Sequence, residues 1–157
     1  MKVGFAGAGS MAGAMARGWA AGAGGPEAML FCDLDATRAA ALAEEVAGET
    51  RSSLRELVDD CDVLLLAVKP PALEAVAEEL GGSAPTILSV LAVTSTARIA
   101  EAFPDTPILR VMPNQPVEVR RGVLCYAPPH QMPDELRDAL LELLASLGDL
   151  VELDESR

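Results

Sequence analysis

Aromatic side chains are scarce in this chain: three Phe, one Trp and one Tyr make up 3% of its 157 residues. Its core must therefore be built from small aliphatic side chains packed closely between layers, which suits helices lying on a sheet. Histidine occurs once, at His130, and cysteine three times, at Cys32, Cys61 and Cys125, with no CxxC pair. These residues cannot assemble a zinc site at ligand spacing. An odd number of scattered thiols also argues against a secreted disulfide scaffold, so buried free thiols are the expected state. Basic residues are few as well: 12 Lys and Arg against 24 Asp and Glu leave a formal net charge of −12. That field repels phosphate backbones and anionic headgroups, which disfavours nucleic-acid and membrane-surface roles. No apolar run approaches the ~18 residues of a membrane span. The opening MKVGFAGAG runs into a glycine-rich turn without a leader-cleavage pattern, and a cytoplasmic location is expected.

Half of the residues are hydrophobic, and 157 residues can bury one sizeable core, so residues 1–157 are read as one domain. Lys2 to Ala6 reads as a strand, followed by a glycine turn and a helix from Ser10 to Ala21. After the break GAGGP come a strand at Ala28 to Cys32 and an Ala-rich helix from Asp35 to Ala47. A short helix at Ser53 to Asp60 leads into Asp62 to Val68, whose consecutive apolar residues suit a strand covered on both faces. Pro70 and Pro71 open a helix through Leu80, since proline is tolerated in a first turn. A strand at Thr86 to Val93 and a helix at Ser95 to Phe103 follow. Strands at Ile108 to Met112, Val123 to Tyr126 and Leu150 to Leu153 complete the set, with a helix at Pro133 to Leu147 stopped by Gly148 as a C′ glycine.

Strands alternating with crossover helices predict an α/β fold, Rossmann-like and doubly wound, with a mostly parallel sheet and helices on both faces. Ligands of such sheets lie beyond the carboxyl ends of the strands at the switch point. Gly7 to Met11, Asp33 and Val68 to Pro70 are expected to converge there.

The segment GAGSMA, Gly7 to Ala12, matches G-x-G-x-x-[GA] directly after the first strand and at the opening of the first helix. Gly7 permits the tight turn, Gly9 lets the backbone reach a pyrophosphate, and Ala12 lets the helix pack on the strand. The amides around Ala8, Ser10 and Met11 then face the phosphates, where the helix dipole favours an anion without any lysine. Asp33 stands 24 positions beyond Gly9 at the end of the second strand, where a carboxylate can accept hydrogen bonds from ribose hydroxyls. That favours NADH. Arg38 either reaches back to offset this charge for the 2′-phosphate of NADPH or is a solvated helix residue.

From VGFAGAGSMAGAMARG through LLLAVKP to RVMPNQPVEVRRG, the order and spacing of segments resemble pyrroline-5-carboxylate reductases over almost the whole chain. The most specific pieces are Val68, Lys69 and Pro70 after the buried strand, and Met112, Pro113, Asn114 and Pro116 after the later one. The resemblance implies that Ala67, Val68, Lys69 and Pro70 border the nicotinamide ribose, and that Ala92 and Met112 to Asn114 approach the nicotinamide end. The residues themselves say only that both segments follow strand ends, that Lys69 before Pro70 is extended, and that Lys69 could equally be a surface charge. Three departures from the family pattern stand out: Ala12 for the third glycine, Gln115 for a threonine, and Val93 where the family usually has glycine.

The resemblance implies an oxidoreductase of proline biosynthesis in which NADH or NADPH reduces the C=N bond of an imino-acid substrate, 1-pyrroline-5-carboxylate. No catalytic residue is assigned within this chain. Family members continue into a helical domain that dimerises and supplies much of the substrate pocket. Residues 1–157 are therefore expected to be the cofactor domain of a homo-oligomer, inactive alone. Two other readings stay open: another reductase or dehydrogenase of similar architecture, acting on a β-hydroxyacid or exchanging hydride with a deazaflavin, and a non-catalytic nucleotide-binding module.

Overall fold

A run of apolar residues with no polar alternation cannot leave either sheet face in water, and β4 (Val63–Leu66) accordingly has all four side chains buried at the centre of the sheet. The computed structural model describes residues 1–156. Around β4 lie β1 (Lys2–Ala6), β2 (Ala28–Cys32), β3 (Glu49–Thr50), β5 (Ile87–Ser89), β6 (Ile108–Met112), β7 (Gly122–Tyr126) and β8 (Gly148–Glu152), in the order β3-β2-β1-β4-β5-β6-β7-β8. Every neighbouring pair is parallel except β6 with β7. The mostly parallel, doubly wound sheet read from the sequence is the observed fold.

Alternate residues of each strand feed two separate cores. On one face α1 (Ser10–Ala20), α2 (Ala36–Val46) and α6 (Asp134–Ala145) pack on Val3, Phe5, Val63 and Leu65. On the other, α3 (Leu54–Asp60), α4 (Leu73–Glu79) and α5 (Thr96–Ala102) cover Leu64, Leu66 and Ile87. The few aromatics are concentrated behind the glycine turn: Phe5 stacks on Phe31 with centroids 4.5 Å apart and meets the edge of Trp19 at 6.0 Å. Trp19 Nε1 donates to Leu143 O at 3.1 Å, which ties α1 to α6. No helix among the described residues is long and apolar enough to cross a membrane.

Several boundaries differ from expectation for local reasons. The strand expected over Thr86 to Val93 ends at Ser89, because Ser89 Oγ accepts the Leu91 N–H at 3.2 Å and turns the chain away. The helix expected from Pro70 to Leu80 begins as a 3-10 turn, Pro70–Ala72, before α4. A second 3-10 turn, Gln115–Val119, and the two-residue β3 carry no apolar period and were not foreseen. Gly148 does not act as a C′ stop. It opens β8, where a Cβ would fall 2.0 Å from Gly122 O, so it is required by the close approach of β7. Of the three thiols, Cys61 alone is buried, with burial pushing it up to about 11, while Cys32 and Cys125 are half-buried.

Candidate functional site

The order of the sheet places a switch point at β1, with β2 and β3 added on one side and β4 to β8 on the other. Gly7, just past β1, has a φ of +103°. A Cβ there would lie 2.6 Å from Ala67 O, so only glycine fits both the conformation and the approach of β4. Its N–H donates to Cys32 O at 2.8 Å, and the Ala67 N–H donates to Ala6 O at 2.9 Å. The carboxyl ends of β1, β2 and β4 are thus bound together around this turn.

Gly9 starts α1 from an extended conformation, with no side-chain cap and no acidic residue in the first turn. By contrast α2, α3 and α5 are capped by Asp35, Ser53 and Ser95, while α4 and α6, which also have no side-chain cap, carry acidic residues in their first turns. The nearest atom to a Cβ on Gly9 would be Arg38 Nη1, 3.8 Å away, so the space above the turn is open. Ser10 and Met11 provide the first amides of a helix whose dipole and free donors favour an anion. This backbone charge suits a pyrophosphate despite the protein's acidity.

Asp33 sits at the end of β2 with its side chain only 12% exposed. One carboxylate oxygen accepts the Ala8 N–H at 2.7 Å and the other the Asp35 N–H at 2.8 Å. Its first task is therefore to hold the glycine turn against the β2 end, a role the sequence did not reveal. Arg38 Nε lies 4.0 Å from Asp33 Oδ1, so the guanidinium does reach back toward the β2 end while remaining half exposed. A groove of about 140 Å³ between α1 and α2 is lined by Ala8, Gly9, Gly13, Arg17, Arg38 and Leu42 among others.

Across the switch point, Ala67 and Val68 are half-buried and Lys69 and Pro70 exposed at the end of β4, with Lys69 extended at φ −68° and ψ 141°. Ala92 lies exposed in the loop after β5, and Met112 at the end of β6 is 39% exposed. Asn114 differs in character: its Oδ1 accepts the Val123 N–H at 2.9 Å and closes the loop between β6 and β7. All the sequence-predicted positions thus stand at the carboxyl ends of β1, β2, β4, β5 and β6.

Arg17 was not anticipated. It is the one charged residue in α1, and it pairs with Glu45 on α2 and, at 3.3 Å, with Glu118 in the second 3-10 turn. A lone arginine among small apolar residues was the available signal. At the opposite end of the sheet a larger hollow of about 500 Å³ is lined by Glu27, Glu49, Asp59, Asp60 and Asp62, with Lys2 and Arg51. There Arg51 pairs with Asp60 at 2.7 Å, and five carboxylates surround Lys2 and Arg51, so the hollow is poorly suited to an anion. No group of three or more His, Cys, Asp or Glu among the described residues could hold a metal ion.

Residues 2–93 match the family described as NADP oxidoreductase, coenzyme F420-dependent. Pyrroline-5-carboxylate reductase of Synechocystis sp. is 39% identical over 105 residues, covering 65% of this chain and 39% of that protein. Pyrroline-5-carboxylate reductase 2 of Bos taurus is 34% identical over 165 residues, covering 99% of this chain and 51% of the relative. Among solved structures, 1-pyrroline-5-carboxylate reductase from Streptococcus pyogenes superposes with a TM-score of 0.88 at 27% identity, over 99% of this chain and 59% of that one. The chain therefore spans about half the length of the relatives it matches. With residues 2–93, more than half of the chain, matched to it, the chain belongs to the family described as NADP oxidoreductase, coenzyme F420-dependent.

Proposed function

We propose that this chain is the cofactor-binding domain of a cytoplasmic pyrroline-5-carboxylate reductase. The observation that carries this reading is the uncapped amino end of α1, opened by Gly7 and Gly9 at the switch point. The α1 amides receive the pyrophosphate of NADH or NADPH. Asp33 and Arg38 flank the adenosine half, and Ala67 to Pro70, Ala92, Met112 and Asn114 border the nicotinamide half. When bound, the cofactor supplies the hydride that reduces the C=N carbon of 1-pyrroline-5-carboxylate to give proline. The residues of this chain bind and orient; none is assigned as the acid or the substrate clamp.

Those groups would come from a further part of a longer polypeptide. Met112, Cys125 and Val151 lie in register across β6, β7 and β8, forming an incompletely covered apolar row where such a part would seat. The length of the relatives favours this arrangement, and in the full-length protein we expect self-association, measurable by light scattering.

Calorimetric titration with NADH and NADPH tests the cofactor reading, and absence of binding by both would end it. Because Arg38 lies beside Asp33, Arg38→Ala is expected to weaken NADPH about tenfold and NADH far less, which a charge-assisted contact to a 2′-phosphate predicts. Proline formation by the full-length protein tests the substrate. A specific observation favours one alternative: the matched family's description includes coenzyme F420. Hydride exchange with a deazaflavin, and no proline, would establish that second reading.

A further inference from the structure

Four non-glycine residues among those described have positive φ: Ala47, Val93, Arg120 and Gln131. Ala47 and Arg120 end helical segments, where a left-handed residue is an ordinary stop. Val93, at φ 51°, ends none and is the only β-branched residue of the four. A branched Cβ makes this conformation a true steric outlier. The side chain is also 99% exposed, so no packing within the domain offsets the strain.

The loop carrying it is firmly held. Ser89 Oγ accepts the Leu91 N–H at 3.2 Å, and Thr94 Oγ1 donates to Ala92 O at 2.9 Å. Leu91 and Thr94 are buried on either side. The anchors hold the tip up, so that the isopropyl group of Val93 stands clear of the domain beyond the carboxyl end of β5. That strand lies two places from β1, on the side away from β2. At ordinary strand spacing this is roughly 10 Å from the glycine turn, about the reach of a ribose and a pyridine ring from a pyrophosphate.

We infer that Val93 is a cofactor-binding contact of this domain, its strained backbone presenting an apolar surface to the nicotinamide end of the dinucleotide. The inference rests on the cofactor reading above. A strained residue whose exposed side chain gains nothing in the free domain gains it in the bound state. The uncharged dihydropyridine ring of the reduced cofactor is the apolar group available to cover it. In the two variants below, the strain and the apolar surface can be removed separately.

The test is titration of the wild-type chain, Val93→Gly and Val93→Thr with NADH and NADPH, and with ADP-ribose and 2′-phospho-ADP-ribose, which lack the nicotinamide. Val93→Gly is expected to raise Tm by roughly 2–4 °C as the strain is relieved. The same variant should bind the intact dinucleotides about tenfold more weakly while binding the fragments as the wild type does. Val93→Thr keeps the branch and the strain but loses a methyl group, so its Tm should not rise and its affinity loss should be smaller. Unchanged dinucleotide affinity in Val93→Gly overturns the inference, as does an equal loss on the fragments. Failure of the wild type to bind either fragments or dinucleotides would instead overturn the cofactor reading, and this inference with it.

Discussion

The two ends of the sheet differ in a way that separates a hollow from a binding site. The amino ends of the strands surround the larger space, about 500 Å³, but line it with five carboxylates against two cations, Lys2 and Arg51, of which Arg51 is paired with Asp60. The carboxyl ends enclose a groove of only about 140 Å³, yet there a helix begins without a cap and an arginine turns toward the turn. Volume favours the first and chemistry the second. For an anionic ligand the decisive quantity is the supply of unpaired donors, and in a chain of net charge −12 that supply comes mainly from the backbone.

The sharpest way to break this contrast is Gly7→Val. The new side chain must adopt φ +103° and enter the space held by Ala67 O, so we expect destabilisation of about 3 kcal/mol or more, and loss of dinucleotide binding by whatever remains folded. Thermal unfolding and titration measure both. A variant as stable and as competent as the wild type would mean that the turn does not have this shape.

Next in size is Glu155, which clamps the carboxyl end by accepting the Thr96 N–H at 2.9 Å and pairing with Arg110 at 2.7 Å. Burial pushes its carboxyl up, but these partners outweigh that and hold it below the ordinary range. A lowered value in the folded state means the stabilisation is present above the unfolded pKa of ~4.3 and is lost as pH falls through the folded value. Glu155→Gln should therefore cost about 2 kcal/mol at pH 7, and its difference from wild type should shrink on acidification. Unfolding curves across pH check this, and a difference independent of pH would refute it.

A smaller effect, with opposite signs in two measurements, is expected of Ser10→Asp. A carboxylate in the first turn of α1 should stabilise the free helix by about 0.5 kcal/mol, while repelling the pyrophosphate and weakening NADH about tenfold. The smallest effect belongs to the other end: Asp59→Asn in the acidic hollow should leave both cofactor affinities unchanged within error. A change there comparable to that of Ser10→Asp would dissolve the contrast between the ends.

How much of this was legible depends on how local each interaction is. The strand, turn and helix over residues 2–20 are written in consecutive residues, and so is the buried run at Val63 to Leu66. The early end of β5 was not, because one serine hydroxyl redirected an otherwise apolar run. The work of Asp33 was hidden for another reason: its partner Ala8 is 25 positions away, and only the pairing of β1 with β2 brings them together. The direction of Arg38 was not legible either, since only the start of α2 sets its guanidinium 4.0 Å from Asp33. Asn114 was expected near the crevice from the family resemblance alone, and its bond to Val123 N–H appeared only with the 3-10 turn that precedes β7.

The sequence by itself determined the alternation of strands and helices, the glycine turn and the sign of the surface, since hydrophobic period, backbone conformation and formal charge are properties of neighbouring residues. Only the tertiary structure decided which end of the sheet offers free donors, that Arg38 faces Asp33, and that Val93 stands strained and uncovered. Each of these depends on segments distant in the chain being brought within a few ångströms, where hydrogen bonds and steric contact take effect and sequence separation no longer matters.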